Sequence, residues 1–254
     1  MRTVAAVKAA PGSESARRAL ALLMAFSAER HTLTARQLAE ATGIPLPSVY
    51  RYLAFLREAG LLAGGTGAYH LSARLIALAR AAEAAETLTD IADPVMRRLA
   101  AETTETVILV RLVARSAVCV HRVESMHRLR TSYEPGQPLP LEHGASARLL
   151  LASLSPRARR EYLAPLSDRD PEGAARLEEE IVRAGRQGWT TSEEEIDRGV
   201  WAAAAAIRDS GGIIAALSVP SPLVRAPAAM HEKLISQVRA AAADINEALA
   251  RAHR

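Results

Sequence analysis

The sequence has little that could form covalent cross-links or span a membrane. Its 254 residues include a single cysteine, Cys119, which excludes an intramolecular disulfide and any zinc site built from several cysteines. No uncharged apolar run approaches the roughly 18 to 20 residues that a membrane span needs. The first residues also lack the hydrophobic core of a secretory signal. We therefore expect a cytoplasmic protein without a membrane segment.

Motifs of the common enzyme classes are missing as well. The chain contains no G-x-S-x-G elbow, no P-loop, no G-x-G-x-x-G after a strand and no H-E-x-x-H or C-x-x-C pair. Seven histidines are scattered along it, and Cys119 lies between two valines in a predicted strand, where a buried thiol is usually inert. The sequence predicts a protein that is not an enzyme and has no cofactor or metal.

The residues that are present indicate two domains with different tasks. A chain of 254 residues exceeds the roughly 100 to 200 residues of a typical domain, and its 49% hydrophobic and 24% charged residues are typical of globular proteins. The first 80 residues carry ten basic and four acidic side chains, and the remainder has a small acidic excess. This asymmetry favours an N-terminal nucleic-acid module, although an ordinary solvated surface has a similar composition.

The N-terminal third has the pattern of a winged helix-turn-helix. An amphipathic helix comes first, and Thr34 and Gln37 then fit the capping box that begins a second helix. Gly43 is suited to end that helix, and a third helix is expected from about Pro47 to Glu58. Two short strands around a glycine-rich turn follow. This order predicts a DNA-binding domain over residues 13–71.

The third helix should present one face to DNA. With Val49, Leu53 and Leu56 buried, the helical period places Arg51 on the opposite face together with Pro47, Ala54 and Phe55, while Ser48 and Tyr50 flank it. Arginine can donate two hydrogen bonds to guanine in the major groove, and other basic side chains such as Arg36 can contact phosphates. A solvated face is the alternative. The candidate DNA-contacting residues are Arg36, Pro47, Ser48, Tyr50 and Arg51.

The remainder of the chain has a mixed pattern of helices and strands. A broadly apolar helix is expected over residues 72–86, and such a helix must be buried on several sides, which suits a linker that pairs with its copy in a second subunit. Residues 87–254 alternate helices with β-branched runs, and Asp209 to Gly212 form a hairpin turn. The predicted fold class is therefore α+β, with a second domain over residues 87–254.

A ligand site is predicted where a glycine-containing loop enters a helix. Gly144, Ala145 and Ser146 precede the helix around Leu149, and the free N–H groups of such a helix start attract a carboxylate. An apolar wall from Met126, Leu129 and Leu141 is one interpretation of those residues, and ordinary core packing is the other. His127 and His143 lie near the predicted site, where they either titrate against a ligand or are hydrogen-bonded surface histidines.

The chain resembles the IclR family of bacterial transcriptional regulators. The N-terminal half of the resemblance rests on RRALALL, LAEATGIP, SVYRYL and YHL, which begin at residues 17, 38, 48 and 69. The C-terminal half rests on LPLEHGAS from residue 139, GW at 188, EE at 194, GV at 199 and AALSV from 215. These motifs follow the order of the family and cover about residues 13 to 250.

The resemblance implies a regulator that responds to a small molecule. Its second domain would be GAF-like and would bind an organic effector, and homodimers or homotetramers would bind a pseudo-palindromic operator in double-stranded DNA. The loop from Gly144 to Ser146 would contact the effector together with Ser192, Ala202, Ser218 and Pro220. Glu194 would have a structural or pocket-facing role.

Three of these matching positions depart from the polar set of family members that bind very small acids. Ser192 is uncharged, and Ala202 and Pro220 are apolar, which predicts a less polar pocket for a larger or more aromatic acid. The alternative is a C-terminal domain that only assembles subunits. Repression and activation both remain open.

Overall fold

The computed structural model describes residues 14–27, 30–65, 67–84, 87–113, 115–136 and 138–252. These residues form two compact units that divide between residues 84 and 87. Residues 13, 85 and 86, which bound the predicted domains, lie outside the described residues. In the described part of the chain, no helix combines the length and apolar character needed to cross a bilayer.

The N-terminal unit is a winged helix-turn-helix, as the sequence predicts. Its elements are, in chain order, α1 (Glu14–Leu23), β1 (Thr32–Leu33), α2 (Ala35–Thr42), α3 (Leu46–Glu58), β2 (Leu62–Gly64), β3 (Tyr69–Leu71) and α4 (Arg74–Ala84). The side chains between the first three helices form a core that includes Leu22, Leu38, Leu53 and Leu56, each at most 1% exposed. This apolar core fixes α3 against α1 and α2.

Local sequence signals set the bounds of α2. The Gln37 N–H donates to Thr34 Oγ1 at 3.2 Å, and the Thr34 N–H donates to Gln37 Oε1 at 2.8 Å, so the predicted capping box is confirmed. Gly43 ends the helix with φ of 69°, a left-handed conformation that costs glycine little. The turn between α2 and α3 is therefore encoded by residues within it.

The wing has one strand more than the sequence predicts. β3 pairs with β2 and also with β1, which precedes α2. A two-residue strand is too short to show an alternating pattern. Gly64 has φ of 95°, and a Cβ atom there would lie 2.4 Å from the Ala68 carbonyl oxygen. The tight start of the wing therefore requires glycine.

Helix α4 departs from its predicted environment. The helix spans Arg74–Ala84, within the predicted 72–86, but Ile76 is 59% and Leu78 is 52% exposed. The described part of the chain therefore does not itself provide the predicted burial at these two residues. An apolar helix surface that its own chain leaves uncovered is available for another partner.

The C-terminal unit is a three-layer α+β domain. It consists of α5 (Thr87–Thr103), β4 (Val107–Val113), β5 (Ser116–Val123), β6 (Pro138–Leu139), α6 (Ala145–Ala152), α7 (Pro156–Arg169), α8 (Pro171–Gln187), β7 (Trp189–Glu193), β8 (Val200–Asp209), β9 (Gly212–Pro222) and α9 (Ala228–Ala252). The strands form one antiparallel sheet in the order β6-β5-β4-β9-β8-β7. Helices α5 and α9 cover one face, and α6, α7 and α8 cover the other.

Strand β8 is built largely from alanine, a poor strand former. Ala203 and Ala205 face the core beneath α5 and α9, whereas Ala204 and Ala206 face the core beneath α6 to α8. All four are at most 4% exposed. Because both faces are covered, the small side chains let helices approach the sheet closely from each side. Burial therefore overrides the weak strand propensity of this segment.

Cys119 provides a test of this core. It is fully buried in β5, and burial raises the pKa of its thiol to about 11. We expect the folded protein near neutral pH to react with a thiol reagent about 100-fold more slowly than the unfolded chain, because little thiolate forms. As this is the only cysteine, the absorbance of the dye that the thiol reagent releases measures the reaction of Cys119 alone. Equal rates in buffer and in denaturing urea would contradict its placement.

Candidate functional site

Helix α3 presents a mixed aromatic and basic face. Val49, Leu53 and Leu56 are buried as predicted, and so is Tyr52. The predicted contact residues Pro47, Tyr50 and Arg51 are exposed together with Ala54 and Phe55, and Ser48 is half-buried. Exposed aromatic rings beside an arginine form a surface suited to the edges of bases and to sugar-phosphate groups.

Arg51 is held by its neighbour on the helix. Its Nη2 lies 3.3 Å from Tyr52 Oη, and the guanidinium carbon lies 5.1 Å from the centre of the Tyr52 ring. Hydrogen bonds from Ser15 and Arg51 lower the pKa of the Tyr52 hydroxyl. Tyr52 therefore connects α1 to Arg51 and limits the freedom of the guanidinium before any ligand arrives, which reduces the entropy lost on binding.

The other basic side chains of this unit differ in their surroundings. Arg36 is exposed at the start of α2. The Arg57 guanidinium lies beside Gly65 in the wing, where a Cβ atom would be 3.6 Å from Nη1. Arg74 donates to the Ala59 carbonyl at 3.3 Å. That bond satisfies an acceptor at the C-terminal end of α3.

A cavity in the C-terminal unit lies between the sheet and the start of α6. The structure brings seven of the predicted effector residues to its lining, Gly144, Ala145, Ser146, Ser192, Ala202, Ser218 and Pro220. His143 also lines it. The cavity holds about 30 Å³, enough for one or two water molecules. Residues from four distant parts of the sequence thus meet at one small cavity.

Four residues that were predicted at the effector site lie outside this lining. Met126 is fully exposed and Leu129 is 63% exposed, so the predicted apolar wall from these side chains is wrong. Leu141 is buried in the core beneath α6 to α8. Glu194 instead accepts the Gly199 N–H at 2.7 Å. Residues 126 and 129 lie in an irregular segment, where no period restrains the side chains to face the sheet.

His127 also lies apart from the cavity lining. Its ring Nε2 is 3.1 Å from Thr104 Oγ1, and its backbone N–H donates to Ser125 Oγ. It is thus a hydrogen-bonded surface histidine, which was one of the two interpretations.

The start of α6 is not free, contrary to the prediction. The Gly144 N–H donates to Glu195 Oε2 at 2.8 Å, and the Ala145 N–H donates to Ser192 Oγ at 3.1 Å. Arg148 then donates from Nη2 to Glu195 Oε1 at 2.8 Å. A carboxylate of the chain itself therefore occupies the position that the helix start offers to an anion.

Comparison with known proteins identifies both units. The model of the IclR helix-turn-helix domain matches residues 15–64, and that of the C-terminal domain of bacterial IclR transcriptional regulators matches residues 81–247. The chain belongs to the IclR family. It is 31% identical to the HTH-type transcriptional regulator Rv1719 of Mycobacterium tuberculosis, over 82% of each chain. It is 25% identical to the transcriptional repressor IclR of Escherichia coli, over 87% of this chain and 85% of that one.

Solved structures of IclR regulators have the same fold. An IclR regulator from Brucella abortus superposes with a TM-score of 0.79 over 94% of this chain and 96% of that one, at 22% identity. An IclR homologue from Microbacterium hydrocarbonoxydans, complexed with 4-hydroxybenzoate, superposes with a TM-score of 0.74 at 26% identity, over 94% of this chain and 100% of that one. The protein is thus an IclR-family transcriptional regulator with a helix-turn-helix and a C-terminal effector domain.

Several residues that line the cavity of this IclR-family domain were not predicted as effector contacts, among them Tyr133 and Ile196. Tyr133 lines the cavity at 6% exposure, and burial raises the pKa of its hydroxyl to about 12, so it stays a neutral hydrogen-bond donor near neutral pH. Ile196 lines it from the loop after β7. Tyr133 follows an irregular segment, where no period indicates which side chains face the interior.

A second, wider hollow of about 410 Å³ lies near the β8–β9 turn and is lined by Arg159, Arg186 and Arg208. Two of these arginines already have partners, because Arg159 makes three hydrogen bonds to Glu178 and Arg208 donates to the Gly185 carbonyl. That carbonyl belongs to the last turn of α8, whose negative end disfavours an anion. The wider hollow is therefore poorly suited to an anionic ligand.

Proposed function

We propose that this regulator binds operator DNA through the exposed face of α3 and binds a small organic acid or aromatic effector in the cavity beneath α6. The observation that carries the proposal is the meeting of seven sequence-predicted residues at one cavity. The effector acts by binding the DNA-competent and DNA-incompetent arrangements with different affinity. Such a regulator can act as a repressor or as an activator, and we propose that it acts in the cytoplasm.

The lining of the cavity supports an aromatic or apolar effector with few polar groups. Ile108, Ala117, Leu139, Ala202 and Pro220 contribute apolar surface. Hydroxyl groups come from a small set of side chains, namely Tyr133, Ser146, Ser192 and Ser218. Such a mixture fits a ring with one or two polar substituents, the class to which the 4-hydroxybenzoate of the Microbacterium homologue belongs.

We further propose that two copies of the chain pair through α4. The exposed Ile76 and Leu78, together with the 41% exposed Leu71, provide apolar surface that a second copy would cover. Paired copies would present two α3 helices to successive major grooves, which requires a pseudo-palindromic operator. The dimer, or a tetramer built from two dimers, is part of the proposal.

Effector binding is tested by thermal unfolding with 4-hydroxybenzoate. A ligand that binds the native state raises the melting temperature, so we expect a rise that grows with ligand concentration. Ala202→Leu fills the cavity and should abolish the rise, because Ala202 lines it between Ser192 and Pro220. Met126→Ala, at a fully exposed position, is the matched control and should retain it.

The alternative is a C-terminal domain that only assembles subunits. In that case neither 4-hydroxybenzoate nor related aromatic acids would change the melting temperature of the unmodified protein. A ligand-dependent rise that persists in Ala202→Leu would show binding elsewhere and would contradict the cavity assignment.

A further inference from the structure

Residues 194–199 form a loop whose two ends are joined by hydrogen bonds, and its Ile196 lines the cavity. The Glu194 N–H donates to the Val200 carbonyl at 2.8 Å, and Glu194 Oε1 accepts the Gly199 N–H at 2.7 Å. Glu194 adopts φ of 54°, an uncommon conformation for a residue with a side chain. The two residues that follow it then reach over the start of α6.

Glu195 and Ile196 contact the same glycine. Glu195 accepts the Gly144 N–H, and a Cβ atom on Gly144 would lie 2.7 Å from Ile196 Cδ1. Ile196 also lines the cavity. Because the two residues are adjacent in the chain, a backbone movement that withdraws Glu195 from Gly144 also changes the position of Ile196. Glu195, which holds the loop at Gly144, and Ile196, which lines the cavity, therefore move together.

The Glu195 carboxylate is bound on both of its oxygens. Oε2 accepts from Gly144, and Oε1 accepts from Arg148, whose Nε donates to Glu180 at 2.7 Å. The Arg148 side chain is 11% exposed, and its Nη1 is buried without a partner in the described part of the chain. Hydrogen bonds between charged groups in such partly dehydrated surroundings are stronger than neutral ones.

We propose that Glu195 is an internal competitor for a ligand carboxylate and thereby determines which effectors the cavity accepts. This inference rests on the proposed function of the cavity. Two carboxylates cannot share the Gly144 N–H without strong repulsion, so a carboxylate ligand must displace Glu195 and move Ile196 with it. That displacement enlarges a cavity of about 30 Å³. A neutral ligand of the same shape gains only space from displacing Glu195 and no charge-assisted hydrogen bond from the Gly144 N–H.

An isosteric pair of ligands separates charge from shape. Benzoate and benzamide are titrated calorimetrically into the unmodified protein, Glu195→Gln and Glu193→Gln. The Glu195→Gln variant keeps a neutral and therefore weaker acceptor for Gly144, so we expect benzoate to bind it about tenfold more tightly than the unmodified protein. Benzamide should change less than about twofold. Glu193 is exposed at the end of β7, and its variant controls for the loss of one charge.

Hydrogen exchange in the unmodified protein provides a test that needs no substitution. If benzoate displaces Glu195, the backbone amides of residues 194–199 should exchange faster with benzoate than without it. A bound ligand usually slows exchange, so faster exchange in this loop would indicate the displacement. Slower exchange in this loop would overturn the proposal. So would equal benzoate affinities for the unmodified protein and Glu195→Gln, or a tenfold gain in Glu193→Gln.

Failure of this inference can be distinguished from failure of the proposed function. Benzamide or benzoate that binds the unmodified protein, without a selective gain in Glu195→Gln, leaves the cavity as an effector site and overturns only the role of Glu195. Absence of binding by both compounds to all three proteins overturns the role of Glu195 and also removes the support for an aromatic effector.

Discussion

Arg225→Ala should destabilise the C-terminal domain by about 3 to 5 kcal/mol. Arg225 donates from Nε and Nη2 to Glu105 Oε1 and Oε2 at 2.5 and 2.7 Å, and this hydrogen bonding raises the pKa of the guanidinium. The Glu105 side chain is 4% exposed. The substitution leaves a buried carboxylate without its partner, and the cost of dehydrating that charge is then uncompensated.

Urea unfolding followed by tryptophan fluorescence measures this effect. Both tryptophans of the chain, Trp189 and Trp201, lie in the C-terminal domain, so the signal reports that domain. Arg157→Ala is the matched control, because the Arg157–Glu161 pair is 85% and 60% exposed and should contribute less than about 1 kcal/mol.

Removal of both charges tests the physical cause of the loss. The double variant Glu105→Leu with Arg225→Met should recover most of the stability, since no uncompensated charge remains in the interior. If Arg225→Ala lowers the free energy of unfolding no more than the Arg157→Ala control does, the buried pair contributes little to stability. Equal losses in the single and double variants would assign the effect to packing instead.

Arg51→Ala should relax the base preference at one position of each operator half-site. The loss of a bidentate contact to a base is worth about 1 to 3 kcal/mol of discrimination. Arg51 is exposed on α3 and is steadied by Tyr52 at 3.3 Å, so the guanidinium is available to a base edge. A randomised-operator selection, followed by binding measurements at several salt concentrations, determines the preference and the affinity.

Arg36→Ala is the comparison for Arg51→Ala. A phosphate contact carries no sequence information, so this variant should weaken binding to all sequences and lower the salt dependence by about one released counterion. Base preference should stay as in the unmodified protein. An unchanged preference in Arg51→Ala, with only a uniform loss of affinity, would assign Arg51 to the phosphate backbone and refute its role in reading the sequence.

Local signals explain why the N-terminal unit could be predicted well. The capping box of Thr34 and Gln37 and the left-handed Gly43 act within a few residues, and the buried stripe of α3 follows from the helical period. Strand β1 could not be predicted, because its two residues gain order only by pairing with β3. The exposed face of α3 was thus available from the sequence, but the contact of Arg51 with Tyr52 was not.

The cavity was predicted only in part. Gly144 was predicted from its place before a helix. Ser192 and Ser218 came from motif resemblance, which preserves positions along the chain but not the partners of each group. Tyr133 and Ile196 belong to irregular segments, where no periodicity indicates direction. Met126 and Leu129 were assigned to the lining because they are apolar and near in sequence, and their exposure shows that proximity along the chain does not decide orientation.

The sequence by itself determined the absence of a disulfide framework, most of the helices and longer strands, and the helix termini that depend on nearby caps. These features arise from covalent connectivity and from interactions within a few residues. Only the tertiary structure decided that Glu195, 51 residues away, occupies the Gly144 N–H. It also decided that Arg225 neutralises Glu105 across 120 residues. Such pairs form where the packed helices and strands bring distant side chains together and exclude water. A local sequence pattern therefore does not predict them.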